Sequence, residues 1–472
     1  MRSKTKDLIK NIFLFAISNF IPKLLSFVTI PIYTSYLTSS EYGYADLITT
    51  TVALILPVFS LNIHDAITRF TLDKKNSDSD IFSISFRIYL IGIIIVFFVC
   101  FILNTLNLFN LPNYFFKYLF VYYVSSTLLK FFTYFCKGIN RVSTIVISSV
   151  VNSFVTVIAN IILLVIMKQH VNGYLISNTI GSFAAIFILF VHGKLYKYIK
   201  KIKDKKLFKD IIAFSIPLIF SAIGWWVNNS IDKYFLVVLE GVAVTGIYSV
   251  AYKIPNILAV FQSTFTSAWS ISSIKEFDSK DQDGFFWSIF NNLNFIMIIG
   301  ASLLMIFNIF ISKLLYSGDF FEAWRFVPPL ILTIVFNSSS MYLESILISV
   351  KNTKSIGITA IIGALINITL DFILIKSYSA YGAAIATLIS YVIVMIIKYH
   401  YVTKYLEFKY SNKIIFLSYF LLALQMVISY FGNKYILFQI LLLVILIFIN
   451  KNKINNFMLM IRKIMRKNNE EN

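Results

Sequence analysis

Few side chains in this 472-residue chain are equipped for chemistry, and most of those lie where lipid is expected. Lys23, Lys130, Lys233 and Lys253 sit inside apolar runs, as do Asp232, Glu344 and Asp371. The densest case is NNSIDKYFLV, residues 228–237, inside IIAFSIPLIFSAIGWWVNNSIDKYFLVVLEG. A charge at mid-bilayer costs about 2.5–3.5 kcal/mol on insertion scales, so each needs a partner, a ligand or a route to water. Ammonium groups offer sites to an anion. Carboxylates offer sites to a proton, a sodium ion or a lysine.

Spacing sorts these residues. Asn19, Lys23 and Ser26 share one helical face. Lys23 lies roughly 18 Å from the cytoplasmic start of its helix, too deep for comfortable snorkelling. Ser249, Lys253, Asn256, Ser263, Ser267 and Ser270 recur at three-, four- and seven-residue steps, which predicts a wetted stripe. Lys130 lies nearer the cytoplasmic end, where snorkelling and ligand binding are both open. Adjacent Asp232 and Lys233 point in different directions and are not each other's ion pair. Trp225, Asn228 and Asp232 line one edge, and Trp226, Asn229 and Lys233 the next. Glu344 shares a face with Asn337 and Ser340, and Asp371 follows Asn367 by four. These acids either balance the lysines or take up a coupling ion. Asp65 and Arg69, beside His64, have the spacing of a simple i,i+4 pair.

No catalytic constellation accompanies them. There is no phosphate-binding glycine loop and no HExxH. Cys100 and Cys136 lack a CxxC neighbour, and the four histidines show no ligand spacing. Neither a metal nor a cofactor is expected, and the chain does not read as an enzyme.

The elements that must position these groups are transmembrane helices. The chain is 58% hydrophobic and 14% charged, with mean hydropathy +0.78, which predicts an all-α polytopic membrane protein. Apolar segments predict about fourteen helices, at 11–37, 44–67, 81–105, 114–137, 142–168, 171–194, 210–239, 243–273, 285–315, 322–350, 355–376, 380–402, 412–432 and 434–450. Most of the 42 Lys and Arg fall in the loops on the N-terminal side, including KYHYVTKYLEFKYSNK, which predicts that both termini are cytoplasmic. The net charge of +20 thus reads as a topology signal rather than a nucleic-acid surface.

The long basic loop 194–210 divides the first twelve helices into two sets of six. Residues 1–205 and 206–403 are the expected lobes, and 404–472 supply two further helices and a basic tail. The lobes echo each other weakly, in NFIPKLLSFVTIPIYTSYLTSSEYGYADLI and FSIPLIFSAIGWWVNNSIDKYFLVVLEGVAVTGIYSVAYKI. Pro22, Pro31, Pro57, Pro217 and Pro255 place kinks in the first, second, seventh and eighth helices.

LLSFVTIPIYTSYLTSSEYGYADLI, IDKYFLVVLEGVAVTGIYSVAYKI and LINITLDFILIKSYSAYGAAIATLISYVI resemble Wzx-type polysaccharide flippases of the multidrug/oligosaccharidyl-lipid/polysaccharide exporter superfamily. The resemblance runs over essentially the whole chain. It implies two MATE-like six-helix lobes around a central cavity, in the bacterial inner membrane. It implies translocation of an undecaprenyl-pyrophosphate-linked oligosaccharide by alternating access, coupled to H+ or Na+. Membrane lipids, a polymerase and chain-length machinery are the implied partners, with no nucleic acid. On this reading Asn19, Lys23, Lys130, Trp226, Asn228, Asn229, Lys233, Lys253 and Asn256 are the candidate cargo contacts. Asp65, Asp232, Glu344 and Asp371 are the candidates for coupling or charge balance. A lipid II flippase, a drug/cation antiporter and, from another class, an integral glycosyltransferase or polymerase are the alternatives.

Overall fold

The computed structural model describes residues 21–73, 75–107, 111–200, 204–408 and 413–451. Among the described residues all regular structure is helical. Residues 21–36 form α1. Then follow α2 (Ser39–Phe59), α3 (His64–Asp73), α4 (Asp78–Leu106), α5 (Phe115–Gly138), α6 (Val142–Asn160, continued by a π-helical turn Ile161–Ile166) and α7 (His170–His192). After these come α8 (Lys205–Leu239), α9 (Val242–Ala251), α10 (Asn256–Lys275), α11 (Phe285–Leu315), α12 (Val327–Ser349), α13 (Thr353–Val402), α14 (Lys413–Ser429) and α15 (Ile436–Ile449).

Ten helical segments among the described residues are long and apolar enough to cross a membrane. The α9–α10 pair adds an eleventh if it forms one bent span. At about 1.5 Å per residue, α13 is far longer than a ~30 Å hydrocarbon core. It breaks at Ser379, whose φ of 52° and ψ of −139° are not helical. Gly382 lets the chain close up there, because a Cβ on it would fall 2.2 Å from the Leu374 carbonyl oxygen.

Two expected helices are divided. The segment expected at 44–67 ends at Phe59, and Leu61 and Asn62 take left-handed φ of 51° and 50° before α3 begins. Pro57 supplies no N–H to the last turn, so α2 is weakest where it stops. Gly92 seats that end against α4, since a Cβ there would lie 2.2 Å from the Phe59 carbonyl oxygen. The segment expected at 243–273 turns by 55° between α9 and α10. Pro255 cannot donate to the ladder and disfavours helical geometry at Ile254.

The starts follow local chemistry. Thr38 and Glu41 form a reciprocal capping box at α2, with the Thr38 N–H donating to Glu41 Oε2 at 2.8 Å. Asp204 Oδ1 accepts the Lys206 and Leu207 N–H groups at 2.9 and 3.0 Å and opens α8.

The chain falls into two compact units, Met1–Ser230 with Leu315–Asp319, and Ile231–Leu314 with Phe320–Asn472. In the first, Phe82, Phe131, Phe132 and Phe135 build a buried aromatic core with Ile63 of the turn before α3 and Ala66 and Ile67 of α3. The Phe82 ring meets Phe135 edge-on at 4.9 Å. α3 is thereby clamped onto α4 and α5 with His64 at its first position. In the second, Trp269 stacks on Tyr342 at 4.6 Å, and the Tyr342 hydroxyl donates to the Phe286 carbonyl at 2.7 Å. Ser302 Oγ donates to Gln425 Oε1 at 2.8 Å, tying α14 to α11. The outward faces stay apolar, as at Ile91, Ile94, Phe98 and Phe101 of α4, which suits contact with lipid tails.

Candidate functional site

A cleft of about 560 Å³ opens within the first unit. Its walls come from α2 (Thr49 to Pro57), the turn after it (Asn62), α3 (His64, Asp65), α5 (Tyr122, Ser126, Lys130) and α8 (Leu218 to Trp226). The two tryptophans differ sharply. Trp226 is 5% exposed, and its indole N–H donates to the Thr50 carbonyl at 2.9 Å. Trp225 is 68% exposed and presents a broad apolar face. Lys130 is half-buried, with its amine 6.0 Å from the centre of the Tyr134 ring. His64 is 5% exposed, packs edge-on against Tyr134 at 4.6 Å and has Nε2 3.7 Å from Asp65 Oδ2.

The expected Asp65–Arg69 pair does not form. Arg69 Nε instead lies 3.5 Å from Asp73 Oδ2, one turn further on, while Asp65 faces the cleft. The cleft therefore joins one ammonium, one carboxylate, a buried imidazole and aromatic surface. That set can hold an oxyanion and stack on a sugar ring.

The second unit gathers acids instead. Asp232 of α8 is 3% exposed. Its Oδ2 accepts hydrogen bonds from the Tyr248 hydroxyl at 2.6 Å and the Tyr252 hydroxyl at 3.1 Å, and its Oδ1 accepts the Lys233 backbone N–H at 2.9 Å. So hydroxyls and an amide hydrogen-bond Asp232, with the Lys233 charge in electrostatic reach. Asp371 of α13 is fully buried, and neither of its oxygens has a hydrogen-bond partner among the described residues. It lies within electrostatic reach of Asp232. Asn367, one turn before it, donates to Thr387 Oγ1 at 3.5 Å across the α13 break. A buried carboxylate without donors favours a proton or a small cation.

Glu344 has a different role. Lys398 Nζ lies 2.6 Å from Glu344 Oε2 and also donates to Ser340 Oγ at 3.0 Å. Lys398 is expected from the sequence to be a cytoplasmic loop charge, but its side chain is only 7% exposed. Glu344 thus balances a lysine, and the sequence signal was available: an acid inside an apolar helix needs a cation, and Lys398 lies within the last apolar segment of the second six.

Residues 8–271 match the polysaccharide biosynthesis protein family. The chain belongs to that family. The fold agrees with solved transporters. A lipid II flippase, MurJ, in an inward closed conformation superposes with a TM-score of 0.69 at 17% identity, over 95% of this chain and 100% of that one. An inward-facing MATE-family multidrug resistance transporter of the MOP superfamily gives 0.64 at 11% identity, over 89% and 100%. A MOP superfamily transporter from Pyrococcus furiosus gives 0.57 at 12% identity, over 84% and 95%. No curated protein sequence matches the chain significantly. This polysaccharide biosynthesis family member is therefore a multi-pass membrane protein of the MurJ/MATE-like fold.

The structure of this family member brings Lys130, Asp65 and Trp226 together and leaves other candidates elsewhere. Lys23 is half-buried on α1 and does not line the cleft, and the Ser26 hydroxyl turns back to the Lys23 carbonyl at 2.7 Å. Asn19 lies outside the described residues. Asn228 and Asn229 donate to the Gly224 and Trp225 carbonyls at 3.0 and 2.7 Å. Lys233 is half-buried in the second unit. Lys253 is in the turn between α9 and α10, not on a continuous helical stripe, and Asn256 is exposed at the start of α10. Ser263, Ser267 and Ser270 bond carbonyls of their own helix at 2.9, 2.8 and 3.1 Å. His64 was not a sequence candidate beyond its neighbours' pairing. His64 opens α3 directly after the turn that ends α2, within electrostatic reach of Lys130.

Proposed function

We propose that this family member is a flippase for undecaprenyl-pyrophosphate-linked oligosaccharide repeat units of a surface polysaccharide such as O-antigen or capsule. It moves them from the inner to the outer leaflet of the bacterial inner membrane by alternating access. Residues 1–205 and 206–403 act as the two lobes, and 404–472 add two helices and a cytoplasmic tail. The observation that carries the reading is the placement of charge: an ammonium in a polar, aromatic cleft of the first unit, and in the second a buried carboxylate, Asp371, without donors among the described residues.

A diphosphate is doubly anionic and seeks cations, for which Lys130 is the leading candidate and Lys23, Lys233 and Lys253 are further ones. Each is a point charge without the fork of Arg, which suits a headgroup that must also leave. Trp225 offers a face for a sugar ring. Asp232 and Asp371 take up the coupling H+ or Na+, and that occupancy relieves their mutual repulsion. Likeness to a lipid II flippase favours a lipid-linked glycan as cargo, which a polymerase and chain-length machinery would then consume. The MATE likeness favours a second reading, a drug/cation antiporter.

In a strain deleted for the gene, the wild-type chain restores surface polysaccharide. K130A and D371N each reduce it by at least about ten-fold at equal protein level, as expected when a charge-assisted contact is lost. Full polymer in both variants, or altered drug sensitivity without polymer loss, contradicts the proposal.

A further inference from the structure

We infer that the cleft of the first unit is a proton-linked oxyanion site, in which Lys130 and His64 hold the same phosphate group and His64 takes up a proton as the anion enters. Placing a phosphate there rests on the diphosphate-linked cargo just proposed.

The first observation is the His64 ring. It lies on the cleft wall, nine-tenths buried, and its Nδ1 has no hydrogen-bond partner among the described residues. Its other nitrogen is 3.7 Å from the Asp65 carboxylate. In the neutral ring that carboxylate favours the Nε2–H tautomer, which leaves Nδ1 as a bare lone pair. A buried lone pair with no donor is costly, and most such groups in folded proteins find a partner. His64 is one of the residues lining the cleft, so a small shift of the ring would let an anion seated there serve as that partner.

The second observation is the charge around it. On α3 itself, Asp65 faces the ring. From α5 come Lys130, Tyr122 and Tyr134. From α4, Tyr89 lies within electrostatic reach of both Asp65 and Tyr134. The cleft residues of α2 and α8 carry no charge. His64 opens α3, a ten-residue helix outside the spanning set. Burial, and after it the Lys130 ammonium, depress the ring's affinity for a proton. An oxyanion beside Lys130 cancels that opposing charge and offers the imidazolium Nδ1–H an acceptor. The proton comes from water on the side of anion entrance and returns there on release, so no net bond is made or broken. Lys130 then holds the anion at any ordinary pH, while His64 makes the second contact only in its protonated form.

Isothermal titration calorimetry of the full chain in nanodiscs tests this, with two buffers of different ionisation heat at about pH 6.5. The probes are inorganic pyrophosphate and farnesyl diphosphate. The expected result is binding with uptake of a sizeable fraction of a proton per anion. Binding of both probes assigns the site to the phosphate itself, and binding of farnesyl diphosphate alone assigns it to a lipid headgroup. K130Q should weaken affinity roughly ten-fold or more, the scale of one charge-assisted contact. H64Q should retain weaker binding with no proton uptake. D65N, which removes the carboxylate supporting the imidazolium, should shift the uptake to lower pH and gives an independent reading should H64Q not fold. Wild-type proton uptake in H64Q, unchanged affinity in K130Q, an unmoved pH profile in D65N, or no binding of either probe by the wild type each overturns the inference. Those outcomes differ from failure of the flippase reading, which would show as absent leaflet transfer by the wild-type chain.

Discussion

The Tyr248 hydroxyl donates to the Asp232 carboxylate at 2.6 Å, and that bond joins α9 to α8 in the second unit. Tyr252 adds a second hydroxyl to the same oxygen at 3.1 Å. A charge in the middle of NNSIDKYFLV is thus solvated by hydroxyls sixteen and twenty residues on. Y248F leaves a buried carboxylate short of its nearest donor. It should lower stability by about 1.5–3 kcal/mol, the range for hydrogen bonds to charged groups. Thermal unfolding in detergent measures this; a melting temperature equal to wild type would mean that the bond carries no net stability.

The Lys398–Glu344 pair calls for a double-mutant cycle. Removing only Lys398 leaves Glu344 with one fewer partner, but water still reaches the 32%-exposed acid. K398M should therefore cost about 1–3 kcal/mol, less than the ~3–5 kcal/mol of a fully buried pair. K398M/E344M should recover most of that loss, because the desolvation penalty goes with both charges. Additive losses would show that the two side chains act separately.

Close packing gives a pair of opposite glycine effects. Gly92 has no room for a methyl group against the Phe59 carbonyl, so G92A should destabilise by about 1–3 kcal/mol. Gly357, in the body of α13, has nothing within 4 Å of its missing Cβ. G357A should stabilise by roughly 0.5–1 kcal/mol through helix propensity. Equal shifts in melting temperature for both variants would contradict the packing at the end of α2.

Outside the membrane, Asp278 caps the turn before α11. Its carboxylate accepts the Gln282 and Lys280 N–H groups at 2.9 and 3.1 Å. Those bonds, Gln282 first, hold its carboxyl below the ordinary 3.8. A lowered folded-state value stabilises the fold above the unfolded value and loses that contribution as pH falls through the folded one. Wild type should therefore lose stability relative to D278A as pH drops below about 4. Parallel pH profiles for the two proteins would remove Asp278 from the account.

The fold was legible because hydropathy is a local property. Runs such as FRIYLIGIIIVFFVCFILNTL announce a span from their own residues, and YSAYG announced the break that Ser379 makes in α13. Pro57 marks a weak point near the end of α2, but the turn that follows is not legible, since Leu61 carries no sign that its φ will be positive. Depth is not legible at Lys398, which lies in an apolar segment and also opens the basic stretch that follows it. The carboxylates were found one by one, but Asp232 and Asp371 are 139 positions apart, and only packing brings them within reach of each other. His64 needed the turn before it and α5 beside it. Spacing along the chain carried neither.

The most direct measurement concerns the cargo itself. In a strain lacking this gene, the leaflet position of the undecaprenyl-pyrophosphate-linked oligosaccharide can be read with a membrane-impermeant lectin or a periplasmic ligase. The account predicts that the lipid-linked unit accumulates facing the cytoplasm, and that the wild-type chain, but not K130A, returns it to the outer leaflet. Outer-leaflet cargo at wild-type levels in the deletion strain would contradict it.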